Sequence, residues 1–375
     1  MKAIAIKLKP GKEKALKNFH PWIFSGAIAK MPAGLSPGAL VSITSHAGEP
    51  LALGHYCGDQ GIVIRVCSFE PHALLDNNFW HQKFASALAL RKALGFPNPA
   101  TNSFRLIHGE GDGLSGLVCD VFATSASIVL NNPGLTGILD NLKTFLAENL
   151  GIDKIYYENQ EAHAEFLENN LGFVADIGQG QKTGHFLDQR DNRALVRSLA
   201  HNRRVLDAFC YSGGFSVYAL AGRAKSVTSV DISAHAISQT QTHVAMNSPF
   251  EGQHEALSED CFNYLRSLKP HDFDMIILDP PAFAKNKGAV EKAARGYKDI
   301  NLQAMKALAP KGLLFTFSCS QHISVDLFKK IIFAAAKDSG RELSIIHELT
   351  QGADHPVSIY CPQSSYLKGL ALYVS

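Results

Sequence analysis

The fold is decided by Arg204-Val-Leu-Asp-Ala-Phe-Cys-Tyr-Ser-Gly-Gly-Phe215, where a short apolar run reaches an acidic residue and then two glycines. The residues after Gly214 carry a helical pattern, so the stretch predicts a strand that turns directly into a helix. Glycines at such a turn let a ligand approach the backbone, and open α/β sheets bind ligands at the carboxyl edge of their strands. The sequence therefore places a candidate binding site just after Asp207.

The same strand-then-helix pattern repeats over the C-terminal half of the chain. Strands are predicted at 204–209, 226–232, 275–281 and 313–320, and helices at 189–200, from 214, at 234–246, 298–308 and 324–337. Strands that alternate with helices of this length indicate a parallel sheet with helices on both faces. Two further apolar runs, 343–349 and 368–374, are typical of closing strands joined by a loop. The predicted fold class is α/β.

The N-terminal part has a different pattern. Residues 40–69 alternate apolar and polar side chains in short runs, which predicts a small β-barrel or meander. A helical stripe follows at 75–94, and residues 103–176 mix strands with two expected helices, at 136–149 and 161–169. We therefore predict three domains: a β-barrel at 1–71, a small α+β middle domain at 72–180 and the α/β domain at 181–375.

The composition is that of an ordinary globular protein, because 46% of the 375 residues are hydrophobic and 19% are charged. The chain has no run of 18 apolar residues and no N-terminal apolar core of a secretory signal, so we expect a cytoplasmic protein and no membrane partner. The seven cysteines form no C-x-x-C pair and the 16 histidines form no H-x-x-x-H pair. Disulfide frameworks and metal sites are therefore disfavoured.

Four acidic residues stand at successive predicted strand ends: Asp207, Asp231, Asp260 and Asp279. An acidic residue after the second strand accepts hydrogen bonds from ribose hydroxyls. The chain has no Walker lysine, and its G-x-G-x-x-G at 111–116 precedes a strand-like run, so we interpret that motif as a hairpin turn and disfavour NAD and ATP. Each aspartate taken alone is equally well explained as a helix cap or a turn residue.

The order of these residues resembles that of class I S-adenosylmethionine-dependent methyltransferases. The resemblance implies S-adenosylmethionine as cofactor, with D-x-F-x-x-x-G-G near its methionine end, Asp231 at the ribose and Asp260 near the adenine. The D-P-P motif at Asp279 would then lie on the reaction side. The residues expected to bind the cofactor are Asp207, Phe209, Tyr211, Gly213, Gly214, Asp231, Asp260 and Asp279.

Asp279-Pro280-Pro281 forms a stiff loop, because each proline fixes its own backbone and restricts the residue before it. This loop can face a planar base that carries an amine, but similar loops occur in enzymes that methylate exocyclic amines. Cys319 distinguishes the two chemistries, since it stands at the end of the next predicted strand. A thiolate there can add to C6 of a pyrimidine and make C5 nucleophilic. The alternative is that Cys319 is one more small buried residue.

Three other segments carry weaker signals. The segment Lys182 to Arg190 mixes donors, an aromatic ring and a carboxylate, and we expect it to close over the cofactor as a loop. Residues 1–30 hold seven lysines and one glutamate, which predicts either a surface that contacts RNA phosphates or a solvated basic face. The basic segment after D-P-P is either a mobile loop that contacts nucleic acid or a solvated helix face. Its members are Lys285, Lys287, Lys292, Arg295 and Lys298.

The whole chain resembles the bacterial 23S ribosomal RNA cytosine-5 methyltransferases with an N-terminal PUA domain. The matching stretches are HPWIFSGAI at 20–28, FRLIHGEGDGLSGLVCDVF at 104–122, KTGHFLDQRDNR at 182–193, VLDAFCYSGGFSVYA at 205–219, VDIS at 230–233, LDPPAFAK at 278–285, RGYKDIN at 295–301 and SCS at 318–320. The resemblance implies a PUA barrel that binds RNA, an α+β middle domain and a C-terminal Rossmann-like methyltransferase. It also implies a large-subunit ribosomal RNA substrate and, by analogy, a homodimer.

The resemblance further implies that Cys319 is the nucleophile and that Asp279 holds the cytosine. It places Gln189 or Arg190 at the methionine end of the cofactor. Related RNA cytosine-5 methyltransferases have a second cysteine after the proline, where this chain has Ala282 and Phe283, so the motif does not supply a base for the C5 proton. The alternatives are N-methylation of an exocyclic amine, a non-catalytic ribosome-assembly factor that binds RNA and, disfavoured by the appended domains, a small-molecule methyltransferase.

Overall fold

The computed structural model describes residues 3–58, 61–157, 160–178, 184–284 and 286–375. The chain forms two compact units. The first comprises Met1–Leu167, Val174–Leu187 and Ala353–Ser364, and the second comprises Glu168–Phe173, Asp188–Gly352 and Ser365–Ser375. The segment between the two closing strands therefore contributes residues to the first unit, which the sequence pattern did not indicate. The division into three domains at 71 and 180 stays a prediction.

The N-terminal residues form a five-stranded sheet in the order β1-β3-β4-β5-β2. Its elements are β1 (Ile4–Lys7), the short helix α1 (Lys14–Lys17), β2 (Trp22–Phe24), β3 (Leu40–Thr44), β4 (Pro50–Tyr56) and β5 (Ile62–Ser68). Burial alternates along β3, where Val41 and Ile43 face the core. The backbone of Lys9 donates to Ala27 O and that of Ala29 donates to Lys7 O, so the two edges of the sheet meet as in a barrel. The predicted strands at 40–69 are confirmed.

A four-stranded sheet with two helices follows, in the order β6-β7-β8-β9. Its elements are α2 (Asn77–Ala93), β6 (Ser103–His108), β7 (Leu117–Phe122), β8 (Ser125–Leu130), α3 (Leu139–Leu150) and β9 (Lys154–Tyr157). Helix α2 begins where Asp76 accepts a hydrogen bond from the Phe79 amide at 2.9 Å. Strands β6 and β7 pair antiparallel across residues 109–116, so the glycine motif there lies in a hairpin turn, as predicted.

The helix predicted at 161–169 is wrong. This segment forms β10 (Ala162–Glu168), which pairs with β11 (Leu171–Ile177). Alternate side chains of β10 are buried, namely Ala164, Phe166 and Glu168. Alanine, glutamate and leucine favour a helix in isolation, but burial at every second position and pairing with β11 outweigh that preference. Asn169 and Asn170 have φ angles of 52° and 63°, which is the backbone of a tight hairpin turn, and this asparagine pair was the overlooked signal.

The second unit contains a seven-stranded sheet in the order β14-β13-β12-β15-β16-β18-β17. Its elements are α4 (Arg190–Leu199), β12 (Arg204–Ala208), α5 (Gly214–Ala221), β13 (Ser226–Asp231), α6 (Ala234–Met246), β14 (Gln253–Ser258), α7 (Cys261–Ser267), β15 (Phe273–Leu278), α8 (Val290–Ala307), β16 (Leu308–Ser318), α9 (Val325–Ser339), β17 (Leu343–Thr350) and β18 (Lys368–Val374). Strands β12 to β16 pair parallel, and β18 pairs antiparallel with β16 and β17. The predicted α/β class is confirmed.

The strand order reverses direction at β12, because the chain runs outward to β13 and β14 and then returns to β15 on the other side. Such a reversal leaves a crevice at the carboxyl edge, where ligands of open α/β sheets bind. The apolar side chains of β12 and β15 are fully buried between helices on the two faces, among them Val205, Leu206, Ile276 and Ile277. The core thus holds these strand ends rigidly in place.

Helix α8 begins eight residues earlier than predicted, and this corrects the interpretation of the basic segment as a mobile loop. Lys292, Arg295 and Lys298 lie on the helix, which buries Ala293 and Tyr297 on its other face. Lys298 pairs with Asp338 at 2.6 Å, so a solvated helix face describes these residues. Lys287 lies in a short turn before α8, and Lys285 falls outside the described residues. Within the described part of the chain no helix is long and apolar enough to cross a membrane.

Candidate active site

The predicted site residues meet at the carboxyl edge of the seven-stranded sheet. Strand register places Asp207 beside Ser229 of β13 and beside Ile277 of β15. Asp231 ends β13 opposite Ser258 of β14, and Asp260 follows two residues later. Asp279 directly follows β15, and Cys319 directly follows β16. Five neighbouring strands therefore present four carboxylates and one thiol along a single edge.

The loop after β12 holds an unusual backbone. Phe209, Tyr211 and Gly213 have φ angles of 62°, 47° and 75°, and the first two are not glycines. A Cβ atom on Gly213 would lie 2.4 Å from Thr240 Cγ2 of α6, so this position requires glycine. The Thr240 hydroxyl donates to Tyr211 O at 3.0 Å and ties the loop to α6. Backbone in such sparsely populated regions is typical of ligand-binding sites.

Asp207 is completely buried under this loop. Its Oδ2 accepts a hydrogen bond from Ser216 Oγ at 2.6 Å, and the serine hydroxyl lies 2.6 Å from Ser229 Oγ. Burial raises the pKa of Asp207 to about 7, the Ser216 hydrogen bond opposes the rise, and the charge of Asp279 adds to it. Asp207 Oδ1 has no hydrogen-bond partner among the residues described.

Asp231 and Asp260 make the local hydrogen bonds that the turn and cap interpretations predict. Asp231 accepts from the backbone amides of Tyr211 at 3.0 Å and Ser233 at 2.9 Å. Asp260 caps α7 by accepting from the Asn263 amide at 2.9 Å. Both carboxylates are only half-buried, so they are oriented by the backbone and still reachable from solvent. These local roles are compatible with ligand contacts at the same edge.

Asp279 accepts a hydrogen bond from Gln189, and the side-chain amide of Gln189 is itself held by Asn192. Gln189 Nε2 donates to Asp279 Oδ2 at 2.9 Å, and Gln189 Oε1 accepts from Asn192 Nδ2 at 2.6 Å. Asn192 also donates to Thr350 O at 3.1 Å, which fixes its amide orientation. Asp279 therefore receives a hydrogen bond at Oδ2 from a side chain whose own position is fixed.

Arg190 has a different environment from its neighbour Gln189. Its Nε lies 3.5 Å from Glu168 Oε2, and Arg193 donates to both oxygens of the same buried carboxylate. Of the predicted closing loop, Lys182 and Thr183 lie outside the described residues, and residues 187–189 form a short turn that leads into α4. The closing of this loop over a ligand stays a prediction.

Cys319 is the half-buried thiol at the end of β16. Its neighbour Ser320 is buried, and the Ser320 hydroxyl lies 3.0 Å from the Tyr297 hydroxyl and accepts from the Ala284 amide at 3.2 Å. Lys368, the first residue of β18, donates to Ser320 O at 2.6 Å. Sequence reasoning missed both Tyr297 and Lys368. A lysine at the start of an otherwise apolar closing strand was the available signal.

Most other cysteines of the chain are poor nucleophiles. Burial raises the pKa of Cys67 and of Cys261 to about 12, and it raises the pKa of Cys210 well above its usual value. Only Cys57 shares the half-buried state of Cys319, and burial raises its pKa as well. In the part of the chain that is described, no group of three His, Cys, Asp or Glu side chains is arranged to hold a metal ion.

A row of aromatic rings lies beside the acidic residues. Phe209 and Phe262 have ring centroids 5.8 Å apart, Phe262 and Phe283 are 5.7 Å apart, and Phe283 and Tyr297 are 4.5 Å apart. The row runs from Phe209 in the loop after β12 to Tyr297 of α8, next to Ser320. Flat apolar surfaces next to carboxylates are suited to the bases of nucleosides, which combine an aromatic face with polar edges.

Comparison with known proteins identifies the family. A family model described as S-adenosylmethionine-dependent methyltransferase matches residues 153–356, and one described as PUA-like domain matches residues 6–69. A protein of Alteromonas mediterranea named ribosomal RNA large subunit methyltransferase I is 37% identical over 390 residues, which cover 98% of this chain and 98% of that protein. This chain belongs to the same family. An Escherichia coli member of the same name is 37% identical over 99% of this chain and 100% of its own length.

Solved structures share the fold of this large subunit methyltransferase I family member. A SAM-dependent methyltransferase from Streptococcus mutans matches with a TM-score of 0.84 at 22% identity, over 99% of this chain and 100% of that chain. A methyltransferase complexed with SAH also has a TM-score of 0.84, at 23% identity and over 100% of both chains. The predicted combination of a PUA-like domain with a Rossmann-like methyltransferase domain is thereby confirmed.

S-adenosylmethionine, the cofactor of this methyltransferase family, fits the carboxyl edge. The unpartnered Oδ1 of Asp207 marks a buried acceptor that a ligand or water can satisfy, among the residues described. Three further carboxylates on this edge provide a negative potential that suits the positive charges of the cofactor. That the residues named from the sequence, including Gln189 and Arg190, hold the cofactor stays a prediction.

Proposed function

We propose that this protein methylates C5 of a cytosine in 23S ribosomal RNA, with Cys319 as the nucleophile. The substrate class comes from the large subunit methyltransferase I relatives, which match almost the entire chain. One observation carries the choice of C5: the thiol of Cys319 and the carboxylate of Asp279 directly follow the adjacent parallel strands β16 and β15. The proposed nucleophile and the carboxylate proposed to bind the nucleobase thus follow adjacent strands.

The strand register supports this pairing. Leu278 lies opposite Thr316, so Asp279 is one residue and Cys319 three residues beyond that level. At about 3.3 Å per residue along a strand and about 4.8 Å between strands, the two positions differ by roughly 7 Å along the strand direction. A single pyrimidine between them can reach both side chains. The half-buried state of Cys319 leaves it accessible to such a base.

Asp279 recognises the base as a hydrogen-bond acceptor in this proposal. Its Oδ2 already accepts from Gln189, and a carboxylate has several acceptor positions, so it can also accept from the exocyclic amine of cytosine. Uracil presents a carbonyl oxygen at that position and would leave two acceptors facing each other. The geometry at Asp279 therefore favours cytosine over uracil.

The proposed reaction has three changes of bonding. The Cys319 thiolate forms a bond to C6, and the electron pair of the C5–C6 double bond becomes available at C5. When bound, S-adenosylmethionine would supply the methyl group: its sulfur–methyl bond would break as C5 takes up the group, and S-adenosylhomocysteine would leave. A base then removes the C5 proton, the electron pair re-forms the double bond, and the sulfur–C6 bond breaks to release Cys319.

Methylation of an exocyclic amine is the alternative reaction suggested by the D-P-P-A-F loop, and the relatives do not favour it. Direct attack by the amine needs no covalent adduct, so Cys319 would then be dispensable. The two candidates differ in the role of a single thiol. A comparison of Cys319→Ala with the wild type therefore separates them.

The test is transfer of a labelled methyl group to unmodified 23S ribosomal RNA by the wild type, Cys319→Ala and the control Cys57→Ala. Cys57 is the matched control because it is the other half-buried cysteine of the chain. We expect label in 5-methylcytosine for the wild type and Cys57→Ala, and none for Cys319→Ala, whose cofactor affinity by calorimetry stays unchanged. Label in an N-methylated base, or near-normal transfer by Cys319→Ala, would overturn the covalent mechanism.

We propose that the N-terminal lysines help to bind the RNA. Lys7, Lys9 and Lys12 are exposed on the PUA-like domain, and Lys12 lines a groove of about 380 Å³ together with Trp22 and Phe24. Neutralised phosphates make binding salt-dependent, so replacing all three lysines by glutamine is expected to flatten the dependence of RNA affinity on salt. Unchanged salt dependence would exclude their contact with phosphates.

The homodimer and the cytoplasmic location belong to the same proposal. The homodimer comes from the resemblance to the family, and the cytoplasmic location is the expectation stated from the sequence pattern. Sedimentation equilibrium of the purified full chain tests the dimer, and a single species with the mass of one chain, 40.7 kDa, would exclude it. Fractionation of the producing cells tests the location.

A further inference from the structure

Lys368 is a buried cation at the start of β18. Its Cα lies opposite that of Ser318, the residue before Cys319, in the antiparallel pairing of β16 and β18. The residue is only 8% exposed. Buried lysines are rare in proteins unless a partner compensates the charge. A lysine buried at this position therefore needs hydrogen-bond acceptors close to Cys319.

The ammonium group of Lys368 holds the loop after Cys319. Its Nζ donates to Ser320 O at 2.6 Å and to Ile323 O at 2.9 Å, so it joins both ends of this short turn. Both acceptors are neutral carbonyls. Among the residues that the structure describes, no carboxylate lies within 4.0 Å of Nζ. The loop carbonyls therefore solvate this charge, and no carboxylate of the described residues forms an ion pair with it.

The thiol of Cys319 and the Lys368 ammonium act on each other. Burial lowers the pKa of Lys368 to about 8, and a negative charge on Cys319 acts in the opposite direction. By reciprocity the positive ammonium favours the thiolate form of Cys319. Tyr297 of α8 also faces this loop, but burial raises its pKa and keeps it neutral. Asp279 directly follows the neighbouring strand β15, and His322 lies within the turn.

We propose that Lys368 is a positioning residue for the nucleophile: it fixes the turn 319–323 at the carboxyl edge and sets a positive charge beside the sulfur of Cys319. This inference rests on the proposed function, which assigns the nucleophile to Cys319. The ammonium charge raises the fraction of Cys319 in the thiolate form, which matters because a thiol is a poor nucleophile in its protonated form. Both hydrogen bonds of the Lys368 ammonium go to the loop that follows Cys319.

The test measures the reactivity of Cys319 directly. Iodoacetamide modification of the full-length protein is followed against pH, with the Cys319 peptide quantified by mass spectrometry. The variants are Lys368→Gln, which removes the charge, and Lys368→Arg, which keeps it. Lys330→Gln is the matched control, because Lys330 is an exposed lysine that pairs with Asp326 on α9. Circular dichroism confirms that each variant is folded.

We expect the midpoint of Cys319 modification to rise by about one pH unit in Lys368→Gln, which lowers the thiolate fraction about tenfold below the midpoint. Methyl transfer is expected to fall by a similar factor while the affinity for S-adenosylmethionine stays unchanged. Lys368→Arg should recover part of the reactivity, and Lys330→Gln should match the wild type. An unchanged midpoint in folded Lys368→Gln would overturn the proposal.

This readout is independent of the methylation reaction. If Cys319→Ala retains activity, the proposed function fails, yet the pH profile of Cys319 modification still reports whether Lys368 stabilises the thiolate. If Cys319→Ala is inactive and Lys368→Gln has the wild-type profile, the nucleophile stands and the role of Lys368 fails. If Lys368→Gln does not fold, Lys368→Arg decides: it should keep a lower midpoint than the unfolded thiol, and a midpoint equal to that value would overturn the proposal.

Discussion

The carboxyl edge of the seven-stranded sheet has two halves, which are built by different means. The half after β12, β13 and β14, which we propose for the cofactor and call the cofactor half, is shaped mainly by backbone groups, as when the Tyr211 amide donates to Asp231. The transfer half, after β15 and β16, is shaped by side chains from distant segments. Gln189 reaches Asp279 across 90 residues, and Lys368 reaches Ser320 across 48 residues. Backbone geometry dominates the first half, and paired side chains dominate the second.

This difference predicts how each half responds to substitution. A change in the cofactor half should disturb the backbone of the loop and therefore both the free energy of unfolding and cofactor binding. A change in the transfer half should leave folding intact and lower the rate of methyl transfer much more than the affinity for the cofactor. Results that mix these effects would break the distinction.

The largest effect is expected for Asp279→Asn in the transfer half. The variant presents an amide where a carboxylate accepts hydrogen bonds, so the interaction with the base weakens and Gln189 faces another donor. Transfer should fall roughly 100- to 1,000-fold, as for other removed electrostatic contacts to reacting groups. Single-turnover kinetics on ribosomal RNA measure this, with cofactor affinity by calorimetry as the control. Equal losses in the transfer rate and in the affinity for the cofactor would place Asp279 in the cofactor half.

Gly213→Ala is the corresponding change in the cofactor half. The new Cβ meets Thr240 Cγ2 at 2.4 Å and the backbone has a φ of 75°, so we expect a loss of about 2–4 kcal/mol in the free energy of unfolding. Urea denaturation measures it. Gly214→Ala is the matched control, because Gly214 does not have a left-handed φ and its Cβ would meet the Arg193 side chain at 3.1 Å, a longer contact than that of Gly213. Equal losses for the two variants would contradict the role of the left-handed backbone at Gly213.

Asp207→Asn sharpens the comparison through pH. The folded-state pKa of Asp207, about 7, lies above its value of 3.8 in an unfolded chain, so the folded protein binds the proton more tightly. The stability of the wild type is then expected to fall as the pH rises from about 4 to 7, whereas Asp207→Asn lacks this contribution. Between pH 5 and pH 8 the variant should gain roughly 2 kcal/mol relative to the wild type. If the free energies of unfolding of the wild type and Asp207→Asn changed in parallel with pH, Asp207 would not titrate in this range.

Gln189→Ala is expected to give a smaller effect, about a tenfold loss of transfer. The substitution removes one hydrogen bond to a carboxylate, which contributes about 1.5 kcal/mol, and leaves Asp279 itself in place. Asn192→Ala should show a weaker form of the same loss, because it acts on Asp279 only through Gln189. The double variant measures the coupling, and additive losses would show that the two amides do not act as one unit.

The cofactor half was largely predictable from the sequence. Its signals are local: an apolar run, the glycines at 213 and 214, and an aspartate at each strand end, all of which a strand-to-helix turn needs in a fixed order. Cys319 was predictable for the same reason, as a residue at a strand end. The shared edge follows from parallel pairing alone.

The contacts of the transfer half were not predictable. Gln189 and Lys368 reach the site only because α4 and β18 pack where they do, and tertiary packing leaves no trace in local spacing. The strand at 162–168 was mistaken for a helix because its residues favour helices and only its burial alternates. The extension of α8 to Val290 was missed because exposed basic residues occur in loops and on helix faces alike.

The segment Ala353–Ser364 has a consequence for how the protein can be made or cut. It lies between β17 and β18 in the chain but belongs to the first unit, where Asp354 accepts from the buried amide of Arg105 at 2.9 Å and from Arg91 at 2.7 Å. A fragment that ends near residue 187 would lack these acceptors and leave buried donors unpaired. The N-terminal half produced alone should be unstable, whereas adding a synthetic 353–364 peptide should restore part of its stability.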